Sequence, residues 1–310
     1  MKVFVAGSNG LAGSAISRTA PRDYQIFQAS RNTLNLTNRE AIREFLVNNK
    51  IDAVVVAAAK VGGILANASH HFDFLLENLK LQNAILEASV DAKVENLVFL
   101  GSSCIYPKQA RQPISEDAML SGPLEPTNEG YALAKISGVR LCKAISDEFG
   151  FNYFSLMPTN LYGPNDNFDL ASSHVPAALM RRFHEAKIAN NRSVKIWGTG
   201  TPMREFMHVD DLAFAVWYFL KLKPKGELIN IGTGTDISIN EFAHLMAKIT
   251  GYNGEIEFDS AKHDGSPRKL LNVSKATRMG WESQIELSQG LTSTYQWFAE
   301  HYSKGEIRGF

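Results

Sequence analysis

The chain opens on a short apolar run, Lys2-Val-Phe-Val-Ala6, that breaks at once into Gly7-Ser-Asn-Gly-Leu-Ala-Gly13 and then into the helix-favouring Ser14-Ala-Ile. A run this short and this continuously apolar is the pattern of a parallel strand buried on both faces. The glycines behind it permit a tight turn. They also let a pyrophosphate approach a helix N-terminus, whose free N–H groups and dipole favour anions. The spacing is G-x-x-G-x-x-G rather than G-x-G-x-x-G, and its force comes from its place between strand and helix. Similar runs recur at 24–28, 52–57 and 96–100, with helical patterns at 39–48 and 72–90. Four such strand–helix units by residue 101 predict a doubly wound α/β fold.

A later strand at 152–157 ends in Pro158-Thr-Asn-Leu-Tyr-Gly-Pro164, where two prolines and a glycine in seven residues mark a break. The expected organisation is therefore a Rossmann-type doubly wound parallel sheet over 1–163, rejoined by a segment near 205–235, and a smaller α/β substrate-binding domain over 164–310. In that second part a helix begins near His174, and a short strand at 194–197 precedes a Gly-Thr-Gly turn. An apolar helix at 212–222, a strand at 228–231 and a helix at 237–249 capped by Ser238 follow. Residues 264–269 read as an exposed polar loop, and a helix at 287–302 closes the chain.

Composition narrows the function. The 310 residues carry no net charge and no dense Lys/Arg block, so no nucleic-acid surface and no basic membrane face is expected. The longest apolar run, 212–220, is far short of a membrane span, and with a strand at the very start no leader peptide is expected. Cys104 and Cys142 form neither a disulfide framework nor a zinc pattern, so no metal is expected and a reducing cytoplasm fits.

Two stretches carry the candidate chemistry. Gly101-Ser-Ser-Cys-Ile-Tyr-Pro-Lys108 follows the strand at 96–100, where an α/β sheet opens its ligand crevice. Tyr131 and Lys135 stand four apart in a helix-favouring segment, one turn apart on one face. A lysine ammonium beside a phenol favours the phenolate and is expected to lower its pKa. A phenol so tuned can protonate a carbonyl oxygen while hydride reaches the carbon. Ser102 could hold that carbonyl. Tyr-x-x-x-Lys alone arises by chance roughly once in every two chains of this length, and without its context a solvated helix face is the better explanation. The second strand ends at Ser30-Arg31, where an NAD site usually places an acid; a guanidinium there suits a 2′-phosphate and argues for NADP.

Taken with the strings GSSCIYPK, LEPTNEGYALAK, MPTNLYGPNDNF, WGTGTPMREFMHVDD and DGSPRKLL, these features make the chain resemble the extended short-chain dehydrogenase/reductases over nearly its whole length. Within them it is similar to the epimerase/reductases of GDP-4-keto-6-deoxymannose, which epimerise C3 and C5 and then reduce C4. The resemblance implies a reductase group of Ser102, Tyr131 and Lys135, and an acid/base pair of Cys104 and His174. It implies a cofactor site lined by Gly7, Ser8, Asn9, Gly10, Leu11, Ala12, Gly13, Arg31, Asn35, Leu100, Gly101, Ser102, Ser103, Lys135, Pro158, Thr159, Asn160, Leu161 and His174. Arg182, Trp197, Arg204, Asp264 and Lys269 would hold the GDP-linked 4-keto sugar, and a homodimer is implied. The family's glycine loop usually carries His-Arg where this chain has Ser8-Asn9, which leaves room for NAD(H) beside NADP(H). Without the resemblance, Cys104 reads as an inert buried thiol, Trp197 as core and Arg182 and Arg204 as surface cations. A plain 4-reductase, an enzyme of a deoxy- or heptose analogue and a non-catalytic dinucleotide sensor also stay open.

Overall fold

The computed structural model describes residues 1–30, 32–262 and 264–309, with the side chains at 64 and 65 left aside. The first half runs β1 (Lys2–Ala6), α1 (Leu11–Arg18), β2 (Gln25–Gln28), α2 (Arg39–Asn49), β3 (Ala53–Val56), α3 (Ile64–Ser69), α4 (His71–Asp91), β4 (Asn96–Leu100), α5 (Glu129–Phe149) and β5 (Asn152–Pro158). Then come β6 (Asn160–Tyr162), α6 (Val175–Ile188), β7 (Ser193–Trp197), β8 (Met203–Arg204), β9 (Phe206–His208), α7 (Val209–Leu222) and β10 (Leu228–Ile231). The chain closes with β11 (Ile237–Ser238), α8 (Ile239–Thr250), β12 (Glu255–Asp259), β13 (Arg268–Lys269), α9 (Ser274–Arg278) and α10 (Leu287–Lys304).

Six strands form one sheet in the order β10-β5-β4-β3-β1-β2, with every neighbouring pair parallel. The apolar runs are continuous because both faces are covered. Phe4, Val54, Leu97 and Phe99 point into a core shared with Ile42 and Leu46 of α2, Ile85 of α4 and Val139 of α5. Their neighbours Val3, Val5, Val55 and Val98 pack the other way, against Ile16 of α1 and Leu212, Val216 and Phe219 of α7. Each such side chain contributes about 1.5–3 kcal/mol on burial, which fixes the register of the strands. The chain steps from β1 to β2 on one side and returns past β1 to β3 on the other. The carboxyl ends of β1 and β3 therefore flank the switch point, where α/β sheets bind ligands.

Residues 205–235 contribute α7 and the edge strand β10 to this layered body. The expected break at 158–164 is gentler than its prolines suggest: β5 continues through Pro158 and β6 begins two residues on. A second lobe has its own core, built on Phe183 of α6, Phe242 and Met246 of α8, Leu291 and Phe298 of α10 and Ile196 of β7. Ser238 caps α8 as expected, in a reciprocal pair with Glu241. Residues 268–269 correct the loop reading, since they form β13 and pair parallel with β8. No helix among the described residues is long and apolar enough to cross a membrane.

Candidate active site

The glycine loop sits against the exit of β3. Gly7 has φ of +91°, and a Cβ on it would lie 2.6 Å from the Ala58 backbone. A Cβ on Gly13 would lie 2.1 Å from the Gly7 carbonyl oxygen. Both are glycines because the chain itself fills the space. Gly10, the N-cap of α1, differs: its φ is −85°, and a Cβ there would meet only Gly7 O at 3.6 Å and Arg308 Nη1 at 3.9 Å. A side chain at Gly10 would fill the space over the first turn of α1, where a dinucleotide pyrophosphate approaches. The loop thus fits a dinucleotide. Ser8 is buried and Asn9 exposed, while Leu11 and Ala12 are half-buried in the first turn of α1. Arg31 lies outside the described residues. Asn35 is exposed, and its Oδ1 accepts from Thr37 N and Oγ1 at 3.0 and 2.9 Å. Asn78 of α4 grips the Lys60 backbone at both N–H (2.9 Å) and C=O (3.0 Å), which sets the path of the segment after β3.

The second wall follows β4. Gly101 N donates to Leu156 O at 2.9 Å, and a Cβ on Gly101 would strike Met157. Leu100 and Ser103 are buried here. Ser102 caps the one-turn helix Ser103–Ile105, its Oγ accepting from Cys104 N at 3.4 Å. Opposite stands α5. Gly138 lets this helix close on the Phe99 ring, where a Cβ would come within 2.3 Å. That approach buries Lys135, whose Nζ donates to Leu100 O at 2.7 Å and lies 4.7 Å from the Phe99 ring centroid. Burial pulls Lys135 down to about 8, and a thiolate at Cys104 or Cys142 would oppose it. Cys142, also buried, is pushed up to about 12.

Tyr131 departs from the sequence expectation. Its pKa is raised, not lowered: burial dominates, a thiolate at Cys104 would add to it, and the Ser102 hydrogen bond opposes it. The ammonium of Lys135 is turned onto Leu100 O and stands 5.8 Å from the Tyr131 ring centroid. Burial also pushes the Cys104 thiol up, against Lys269, Ser102 and Lys135 in that order.

The third wall belongs to the second lobe. His174 is the N-cap of α6, and it reaches solvent between walls of protein. Burial and then the Lys269 charge hold its pKa below the usual histidine value. Two turns along α6, Arg182 lies 5.7 Å from the Trp197 ring centroid, and its Nη1 donates to Lys195 O at 3.4 Å. Trp197 is 51% exposed, so it is no core residue; Lys262 Nζ stands 5.7 Å from the same ring. Lys269 on β13 pairs in register with Arg204 on β8, and burial depresses both cations. Lys269 thus acts on Cys104 and His174 alike and joins the two lobes electrostatically. Asp264 is engaged by the turn beside Trp197, its carboxylate accepting Thr199 N at 3.0 Å and Thr199 Oγ1 at 2.7 Å.

Two carboxylates that hold the walls together have no role in the sequence reading, although both lie inside strings that carry the resemblance. Glu205, fully buried, accepts N–H groups from Thr233 (2.7 Å), Gly234 (2.8 Å) and Leu271 (3.0 Å). Its backbone carbonyl accepts from Thr159 Oγ1 and from Asn160 Nδ2. Pro158 stands in register with Ile231, and Leu161 packs on the α1/α7 core. Glu125 pairs with Lys108 at 3.1 Å, accepts from Ser266 Oγ at 3.5 Å and partly opposes the burial that depresses Lys269. No group of three or more His, Cys, Asp or Glu able to hold a metal occurs among the described residues.

Known proteins share this architecture. The model of the NAD dependent epimerase/dehydratase family matches residues 3–232. The GDP-L-fucose synthase of Escherichia coli strain K12 is 48% identical over 98% of this chain and 98% of its own. A solved GDP-6-OMe-4-keto-L-xylo-heptose reductase from C. jejuni is 33% identical, covers 97% of this chain and 98% of its own, and superposes with a TM-score of 0.90. The GDP-mannoheptose C4 reductase MlghC from Campylobacter jejuni, solved with NADP bound, is 34% identical over 96% of this chain and 98% of its own, with a TM-score of 0.86.

Proposed function

The chain belongs to the NAD-dependent epimerase/dehydratase family, and from that premise we propose that it converts GDP-4-keto-6-deoxymannose to GDP-L-fucose by epimerisation at C3 and C5 and NADPH-dependent reduction at C4. One arrangement supports the reading: Ser102 Oγ accepts from Cys104 N, Lys135 stands 5.8 Å from the Tyr131 ring centroid, and the Lys269 charge acts on both Cys104 and His174. The glycine loop, Leu100 to Ser103 and Pro158 to Leu161 line the side that takes NADPH, which when bound supplies hydride to C4. Arg182, Arg204 and Lys269 face the diphosphate, and Trp197 offers an exposed ring to the base. Asp264 shapes that wall through Thr199.

The keto group acidifies the hydrogens on its neighbouring carbons. Cys104 is held as a thiol and His174 as a neutral imidazole, so the pair enters with one proton to give and one lone pair to receive. Lys269 steadies the negative charge that develops between them. Epimerisation precedes reduction because it needs the carbonyl. Tyr131, held protonated by burial, then gives its proton to O4 while Ser102 holds that oxygen.

Finer points rest on the sequence and the resemblance. Arg31 reads the 2′-phosphate, so NADPH is preferred, and Asn9 in place of a basic residue leaves NADH usable. The dinucleotide domain takes 1–163 and a segment near 205–235, and the substrate domain the rest of 164–310. The compartment is the cytoplasm. A homodimer through α4 and α5 is favoured by the exposed Phe72 (73%), Leu133 and Phe149 on those helices, and light scattering decides it. The solved heptose reductases favour one second reading, reduction of a related GDP-4-keto heptose.

The deciding experiment is incubation with GDP-4-keto-6-deoxymannose in D2O without NADPH, read by NMR. Wild type washes deuterium into the carbons beside the carbonyl. Cys104→Ser loses most of that exchange, since a serine hydroxyl is far too weak an acid. Exchange at the wild-type rate in Cys104→Ser would leave Cys104 a packed thiol and remove the epimerase half.

A further inference from the structure

We propose that the carboxy-terminal Arg308 supplies a cation to the pyrophosphate of the dinucleotide at the glycine loop; this rests on the dinucleotide reading above. The tail is laid across the 166–169 segment by its backbone. Phe168 N donates to Arg308 O at 2.9 Å, and Arg181 Nη1 donates both to Phe168 O at 3.1 Å and to Gly309 O at 2.9 Å. Ile307 is buried in the second-lobe core, so the anchor lies one residue before the arginine. The Arg308 side chain itself is exposed and has no ion pair within 4.0 Å among the described residues. Asp166 lies close enough for the Arg308 charge to oppose the burial that raises it to about 7.

The guanidinium points at the one glycine of this loop whose lack of a side chain the backbone does not force. Gly7 and Gly13 are forced by backbone contacts, whereas the space over Gly10 is bounded by Gly7 O and Arg308 Nη1. That space lies over the N-terminus of α1, where backbone N–H groups and the helix dipole attract an anion. A guanidinium on the far side of the same space completes a two-sided phosphate clamp. It also provides a positive charge near a loop that carries Ser8-Asn9 and no basic residue. Gly10 caps the helix that takes the pyrophosphate, while the 2′-phosphate belongs at the end of β2. Arg308 therefore grips the part of the cofactor that NADPH and NADH share.

Equilibrium titration with NADPH, NADH and ADP-ribose, followed by fluorescence or calorimetry, tests this without turnover. Arg308→Ala should weaken all three by a similar factor, about tenfold at low salt, and Arg308→Lys should recover part of it. Arg31→Ala should weaken NADPH alone. The tail is held by backbone bonds, so these variants fold, and a thermal melt checks it. Unchanged affinities in Arg308→Ala, or a loss confined to NADPH, would overturn the proposal while leaving the dinucleotide reading intact. Wild-type protein that binds none of the three would overturn both.

Discussion

The two sides of the crevice are built in opposite ways. The sheet side comes from consecutive strand–loop–helix units, and its key groups sit within a turn of a strand end or helix start: Gly7 after β1, Ser102 after β4, Tyr131 at the start of α5. The far side is gathered from distant pieces. Arg204 and Lys269 become neighbours only through the pairing of β8 with β13, and Arg182 and Trp197 come from α6 and β7. The near side holds buried groups with displaced proton affinities, suited to moving protons. The far side holds cations and an exposed ring, suited to holding a nucleotide. On the proposed reading, chemistry and grip are separated by origin in the chain as well as by place.

The sharpest way to break that comparison is Tyr131→Phe. It should cut reduction by about 10²–10⁴-fold while deuterium exchange and NADPH affinity stay near wild type; loss of exchange as well would mean that the near side does not divide its labour. On the far side, Arg204→Ala should weaken GDP binding about 10–100-fold with NADPH affinity unchanged. Calorimetric titration reads both, and an equal loss of NADPH would merge the two sides. The smallest effect has the opposite sign. Lys135 sits at about 8 in the folded chain against 10.5 when free. Below pH 8 both states are protonated and the folded protein carries a buried charge. Between 8 and 10.5 the unfolded chain binds the extra proton, so wild-type stability rises with pH across that window. Lys135→Met should therefore stabilise by about 1–3 kcal/mol near pH 7, with the gap closing towards pH 10. A lower Tm at pH 7 would show that the bond to Leu100 O outweighs the burial.

The same contrast governs what the sequence discloses. Strands β1, β3, β4 and β5 announce themselves because both of their faces are covered, and Ser238 is a legible cap because its partner Glu241 is three residues away. The direction of the Tyr131 shift is not legible. Spacing puts Lys135 on the right face, but only the packing of Gly138 on Phe99 and the acceptor at Leu100 O fix where the ammonium goes. Trp197 reads as core in sequence and stands half exposed, because burial of a strand residue depends on which partner covers its face. Glu205 lies inside a string that carries the resemblance, yet no spacing gives it a role, since its three donors lie about thirty to seventy positions downstream. Two-residue strands such as β8, β11 and β13 exist only through their partners, and no periodicity betrays them.

The return of the chain to its main sheet has a consequence for synthesis. β10 docks on β5 some seventy positions after β5 is made, and the intervening chain must first lay down most of α6, the short strands and α7. Until then the edge of β5 offers a row of unpaired backbone groups, a template for association with other chains. The amino-terminal body therefore cannot finish as it leaves the ribosome. It waits for a late strand across a long loop, which raises contact order and slows closure. Substitutions in α7 or β10 should appear first as poor yield in cells, with the catalytic groups themselves untouched.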